Sequence, residues 1–176
     1  MRLAYDGTTN RGATMDDMPL PPRSTDEATD RGLAVIGALT VSEIFANADR
    51  QQARGFYRAV GRRLAQQNPI PAMRDLRELQ GAVNAVWARV GLGEADITLD
   101  LHGVLIHHYD APAAIPHDPE FHWGEALSSL LAGAYDGWMR AMGSPDALQT
   151  RVVAFSESTV EIRHGADMEA KPGHAV

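Results

Sequence analysis

Five residues within eleven positions have the types that bind metals or move protons: Asp100, His102, His107, His108 and Asp110. Imidazole nitrogen and carboxylate oxygen are ligands for zinc or iron. If this stretch is a hairpin, Asp100 and His102 share one strand with one of the two histidines opposite. The alternation of a strand sends His107 and His108 to opposite faces, so at most one of them joins the set. A metal-dependent enzyme or sensor built on Asp100, His102 and His107 or His108 is therefore one reading of this stretch. Polar sheet-face and loop histidines are the other, and the alternating faces favour it.

The remaining candidates have simpler explanations. Glu120 and Glu125 flank Trp123 where a helix begins, and carboxylates suit the positive end of its dipole. Asp136 and Arg140 have the i,i+4 spacing of a helix-surface ion pair. Ser128 and Ser129 have no base at a fixed spacing, so no hydrolase triad is indicated. Arg50, Arg54, Arg58 and Arg62 form a ladder at four-residue spacing that could grip an acidic partner or form a solvated face. Trp87, Trp123, Tyr135 and Trp138 lie on or beside apolar helical stripes, as core or interface anchors do. Among these, Arg54, Arg58, Arg62, Trp87, Tyr135 and Trp138 are the candidate contact residues for a partner or another copy of the chain.

The elements that must position these groups follow from periodicity. A first helical region is expected over residues 40–67, with Phe45, Ala48, Phe56, Val60 and Leu64 on its apolar face. Gly55 and Gly61 point to a kink or a close helix contact. Asn68-Pro69-Ile70-Pro71 ends it, because the residue before a proline leaves the α region. A second helix is expected over 73–90, capped by Gly91 in a left-handed conformation. Strands at 97–102 and 104–109 flank Gly103, a third helix covers 121–142, and a second hairpin joins 151–155 to 159–164. The order α-α-β-β-α-β-β describes a small α+β domain with an antiparallel sheet.

Composition bounds the function. The 176 residues carry a formal net charge of −7, which disfavours nucleic acid and anionic lipid as partners. There is no cysteine, so disulfides, thiolate metal sites and a cysteine nucleophile are excluded. Lys171 is the single lysine among the basic residues. No phosphate-cradling glycine loop or nucleophile elbow is present. The apolar run 33–41 is too short to span a bilayer, no export signal is read at the N-terminus, and a cytoplasmic protein is the expectation. Residues 1–32 and 165–176 read as a disordered arm and tail around one folded domain over 33–164.

Several segments, taken together, resemble a known family. Val60-Gly61-Arg62 precedes a proline-bearing break, then come Leu76 to Leu79, Asn84-Ala85-Val86-Trp87 and Val90-Gly91-Leu92-Gly93. Ile97-Thr98-Leu99-Asp100-Leu101, His107-His108 and Ala111-Pro112 follow. The third helix then carries Leu131-Ala132-Gly133-Ala134-Tyr135-Asp136-Gly137-Trp138. In order and spacing this resembles the D-subunit family of bacterial cellulose synthase. The resemblance implies a non-catalytic accessory without cofactors, forming dimers that close into an octameric ring with passages for nascent β-1,4-glucan. Its implied partners are copies of itself and the other components of the inner-membrane synthase complex. The long acidic, proline-bearing arm departs from the family's short one, so no glucan-contact residues are carried over from it. The family has been placed in the periplasm, whereas the missing export signal favours the cytoplasmic side. A regulatory small-ligand module, with an apolar pocket between the sheet and the third helix, is the remaining alternative.

Overall fold

The computed structural model describes residues 25–71, 73–112, 114–156 and 158–166; most of the expected arm and tail lie outside them, while Gly165 and Ala166, expected as tail, end the last strand. Four helices and four strands follow in the order α1 (Thr25–Asn47), α2 (Arg50–Gln67), α3 (Leu76–Val90), β1 (Glu94–Asp100), β2 (Gly103–Tyr109), α4 (Trp123–Ala141), β3 (Leu148–Ser156) and β4 (Thr159–Ala166). From α2 onward this is the expected α-α-β-β-α-β-β order of an α+β fold. Before it, α1 begins at Thr25, inside the stretch expected as arm.

The helical region expected over 40–67 is two helices. Asp49 breaks it with extended backbone (φ −66°, ψ 160°), and its carboxylate accepts the Gln52 N–H while the Gln52 side chain accepts the Asp49 N–H. This reciprocal capping box supplies two otherwise orphaned donors and starts α2 afresh. The buried side of α2 is Ala53, Tyr57, Gly61 and Ala65, while Phe56 and Val60, expected inside, are exposed. The cause is the opposing helix. A methyl on Gly61 would lie 1.9 Å from the Leu130 carbonyl oxygen, and one on Gly133 would lie 2.1 Å from that of Arg58. The two backbones are in contact, so only small residues fit between them.

The four strands form one antiparallel sheet in the order β1-β2-β4-β3. In the first hairpin the turn is Leu101-His102, one step earlier than expected, because Asp100 pairs with Gly103. Gly103 opens β2 with φ +121°, where a Cβ would lie 2.3 Å from the His164 carbonyl oxygen. Gly91 caps α3 at φ 66°, as expected. Asn84 of α3 clasps Ala95 through both backbone groups, at 2.9 and 2.7 Å, and Gln80 accepts the Ile97 N–H. The outer edge of β1 is thereby covered rather than left open for pairing.

Between helices and sheet lies the core, including Trp87, Tyr135, Trp138, Leu127, Leu131, Ile106, Val160 and Ile162. No helix of the described residues is long and apolar enough to cross a membrane.

Candidate functional site

The histidine hairpin does not assemble a metal site. His102 is exposed in the turn, and its backbone N–H donates to Asp100 Oδ1 at 2.7 Å. Asp100 is taken by Arg163, whose Nη1 donates to both carboxylate oxygens at 2.7 Å. That bond, more than the one from His102, holds the Asp100 carboxyl below its usual range. His108 is on the opposite, inner face at 0% exposure, while His107 is on the outer face between Asp96 of β1 and Glu161 of β4. The alternative ligand set Asp100, His102 and His108 is thus divided between two faces. Among the described residues no three His, Asp or Glu side chains are grouped to hold a metal.

His108 belongs instead to a buried hydrogen-bond chain. Its Nε2 lies 2.6 Å from the Leu92 carbonyl oxygen, which can only accept, so that nitrogen carries the proton. Nδ1 then accepts from the Tyr135 hydroxyl at 2.8 Å, and that hydroxyl accepts the Trp87 indole N–H at 2.9 Å. Burial pushes the His108 pKa down, against the opposing pull of the Leu92 bond, and the same burial pushes Tyr135 far up. Trp87, Tyr135 and Trp138 are expected from the sequence as contact residues, but at 0, 1 and 1% exposure they lie inside the fold. None of the three has surface to offer a partner.

A second network ties α4 to the β3–β4 hairpin. Thr150 donates to Asp136 Oδ1 at 3.1 Å, accepts from His164 Nδ1 at 2.7 Å, and leaves His164 Nε2 to accept from Ser144 at 2.6 Å. Burial and then Arg140 lower the His164 pKa, and Asp136 partly opposes them. The Asp136–Arg140 pair expected on the surface is part-buried here, with Arg62 3.7 Å from the other carboxylate oxygen.

Arg50, Arg54 and Arg58 of the arginine ladder border a cleft. Arg50 and Arg54 both converge on Glu125 of α4, Arg50 at 2.7 Å, and this lowers the Glu125 pKa, Arg50 contributing most. Arg58 donates to the Thr150 carbonyl, and burial lowers its pKa although Asp136 opposes. The cleft of about 810 Å³ lies between α2, α4 and β3. Arg50, Arg54, Arg58, Arg151, Ser128 and Phe155 line it, and Phe121 stands at its mouth, 81% exposed with φ +57°. A bulky residue in that conformation carries backbone strain. This cleft, lined by α2, α4 and β3, is arginine-rich and differs from the apolar pocket expected between the sheet and the third helix. The sequence explains Glu125 only as a helix-end carboxylate, because nothing near it in the chain marks it as the partner of residues 71 and 75 positions away.

A second surface falls in the apolar run 33–41, which the sequence pattern shows without assigning it to a helix. Ala38 and Val41 are the buried side of α1, with Val41 packed in the cluster of Tyr57 and Ala126. Leu33, Ile36 and Leu39 are 62, 63 and 55% exposed, and Phe56 and Val60 of α2 add to the same exposed apolar set. Ile36, Leu39, Ile44 and Phe56 line an apolar groove between the two helices.

The protein-family comparison matches residues 34–165 to the model of the cellulose synthase D-subunit. A search of curated proteins finds no match for the chain. The matched span runs from α1 through all four strands, so the fold described above is the matched unit, and the chain belongs to the cellulose synthase D-subunit family.

Proposed function

We propose that this chain is a non-catalytic accessory component of the cellulose-synthesising complex that acts by self-assembly. In this reading dimers close into a ring-shaped octamer that organises synthase complexes or emerging glucan chains for ordered fibril formation, on the cytoplasmic side of the inner membrane. Membership of the family supports a role in cellulose synthesis beside the other components of the complex. The observation that carries the assembly is the exposed apolar face of α1. From Gly32 to Ser42 there is no charged residue, although the chain as a whole is at −7. Two identical acidic chains repel each other over most of their surfaces. A charge-free apolar stripe is where a second copy can approach, and an α1-to-α1 contact is self-complementary by symmetry. Burying each large side chain of such a stripe contributes about 1.5–3 kcal/mol.

The test is absolute mass by light scattering on a sizing column. The wild-type chain is expected as a sharp, concentration-independent species of about eight copies. Leu33→Glu, Ile36→Glu and Leu39→Glu combined, on an exposed face, are expected to leave the helical and tryptophan signals intact while the eight-copy species is lost. A monomeric wild-type chain would sink the reading.

A further inference from the structure

A symmetric contact through α1 joins two copies and stops, so a larger closed assembly needs a second contact, and one made head-to-tail between different surfaces gives a ring when its rotation closes. The fold carries two surfaces of opposite charge toward opposite edges of its sheet. On the β3 side is the arginine cleft, where Arg50 and Arg54 face the single carboxylate of Glu125 and Arg58 donates to the Thr150 carbonyl. One carboxylate satisfies two guanidiniums there, and the Arg50 and Arg54 side chains remain 74 and 54% exposed.

On the other side is the outer face of β1, β2 and β4. Glu94 and Asp96 point outward from β1, Glu161 from β4, and Asp110 follows β2. Strand register sets Asp96 and Glu161 on either side of His107. None of these four carboxylates has an ion pair among the described residues, whereas Asp100 on the same face is neutralised by Arg163. These carboxylates gather unpaired negative charge on one face, which a cationic partner surface would complement.

We propose that the acidic outer sheet face of one copy, centred on Glu94, Asp96 and Glu161, docks on the arginine cleft of the next. The inference rests on the self-assembly reading above and names the contact that carries dimers into a ring. The ladder residues Arg50 and Arg54 are its cationic side, with Phe121 presented at the edge of the same cleft. The guanidinium ions suit this task because they are weakly hydrated and bind carboxylates through paired N–H donors.

The experiment measures the mass of the full chain in low salt and in roughly 1 M NaCl, where charges are screened within about 3 Å. High salt is expected to reduce the ring to dimers, about a four-fold fall in mass. Arg50→Glu with Arg54→Glu is expected to do the same in low salt, and so is Glu94→Arg with Asp96→Arg. The second pair changes exposed, unpaired positions, so it tests the contact without disturbing the Glu125 cluster. Mixing the two charge-reversed proteins is expected to restore the large species, because each reversed surface then meets its complement. A ring that survives both variant pairs and high salt overturns this contact while leaving self-assembly intact. A wild-type chain that is already monomeric overturns both. Dimers at every salt concentration, unaffected by either variant pair, overturn the ring contact and with it the ring of the proposed function, leaving only the α1 dimer.

Discussion

The Tyr135 hydroxyl accepts the Trp87 indole N–H at 2.9 Å, and in the same place donates to His108. One oxygen from α4 thereby satisfies a donor of α3 and an acceptor of β2, at the centre of the core. Removing it orphans both. Tyr135→Phe is expected to cost about 1–3 kcal/mol, the penalty for unpaired buried polar groups. Urea unfolding followed by tryptophan fluorescence measures it. A change within the experimental error would mean that water replaces the hydroxyl.

The glycines of the helix pairs divide into two kinds. Gly61 and Gly133 sit where α2 and α4 touch backbone to backbone, with no room for a methyl group. Gly55→Ala and Gly81→Ala meet nothing within 4 Å. Gly61→Ala is expected to destabilise by about 1–3 kcal/mol or more, as the helices are forced apart. Gly81→Ala is expected to stabilise by about 0.5–1 kcal/mol, because it removes backbone freedom from the unfolded chain. Thermal melts of the two variants should move in opposite directions; movement in the same direction contradicts the close helix contact.

The contrast between those glycines also explains what is legible in the sequence. Alternation with a period of two divides His107 from His108 correctly, since strand geometry allows nothing else. Gly91 announces the end of α3 for the same kind of local reason. The buried face of α2 is not legible, because Phe56 and Val60 look like core until the small residues of α4 bring the backbones together. The break at Asp49 is written locally, as Asp49 and Gln52 at capping-box spacing, but the apolar pattern running across it masks it. The partner of the arginine ladder is 71 or more positions away, and only the tertiary fold brings Glu125 between Arg50 and Arg54.

Two buried histidines make the fold sensitive to acid. His108 and His164 both have pKa values lowered in the folded chain, in each case chiefly by burial. Between the folded value and the unfolded value of about 6.5, the unfolded chain binds more protons. Their contribution to stability is therefore complete above about pH 6.5 and is lost as pH falls below it. The urea midpoint is expected to be flat near neutrality and to fall on acidification. His164→Gln keeps polar groups toward Ser144 and Thr150 but does not titrate, and should flatten part of that fall. An unchanged midpoint down to about pH 5 in the wild-type chain would contradict neutral, buried imidazoles.

A second tyrosine completes the argument by opposition. Tyr57 is 6% exposed beneath α1, and its hydroxyl is buried without a hydrogen-bond partner among the described residues. Burial, followed by the charge of Asp118, pushes its pKa up to about 12. Where the Tyr135 hydroxyl is used twice, that of Tyr57 bears a desolvation cost with no bond to offset it. Tyr57→Phe is expected to be neutral or to stabilise the fold, by up to about 1–3 kcal/mol. The ring stays, so its stacking with Phe45, at a centroid distance of 6.1 Å, is kept. Chemical unfolding of the variant decides the matter. A loss of stability would mean that a bound water or a neighbouring copy of the chain completes the Tyr57 hydroxyl in solution.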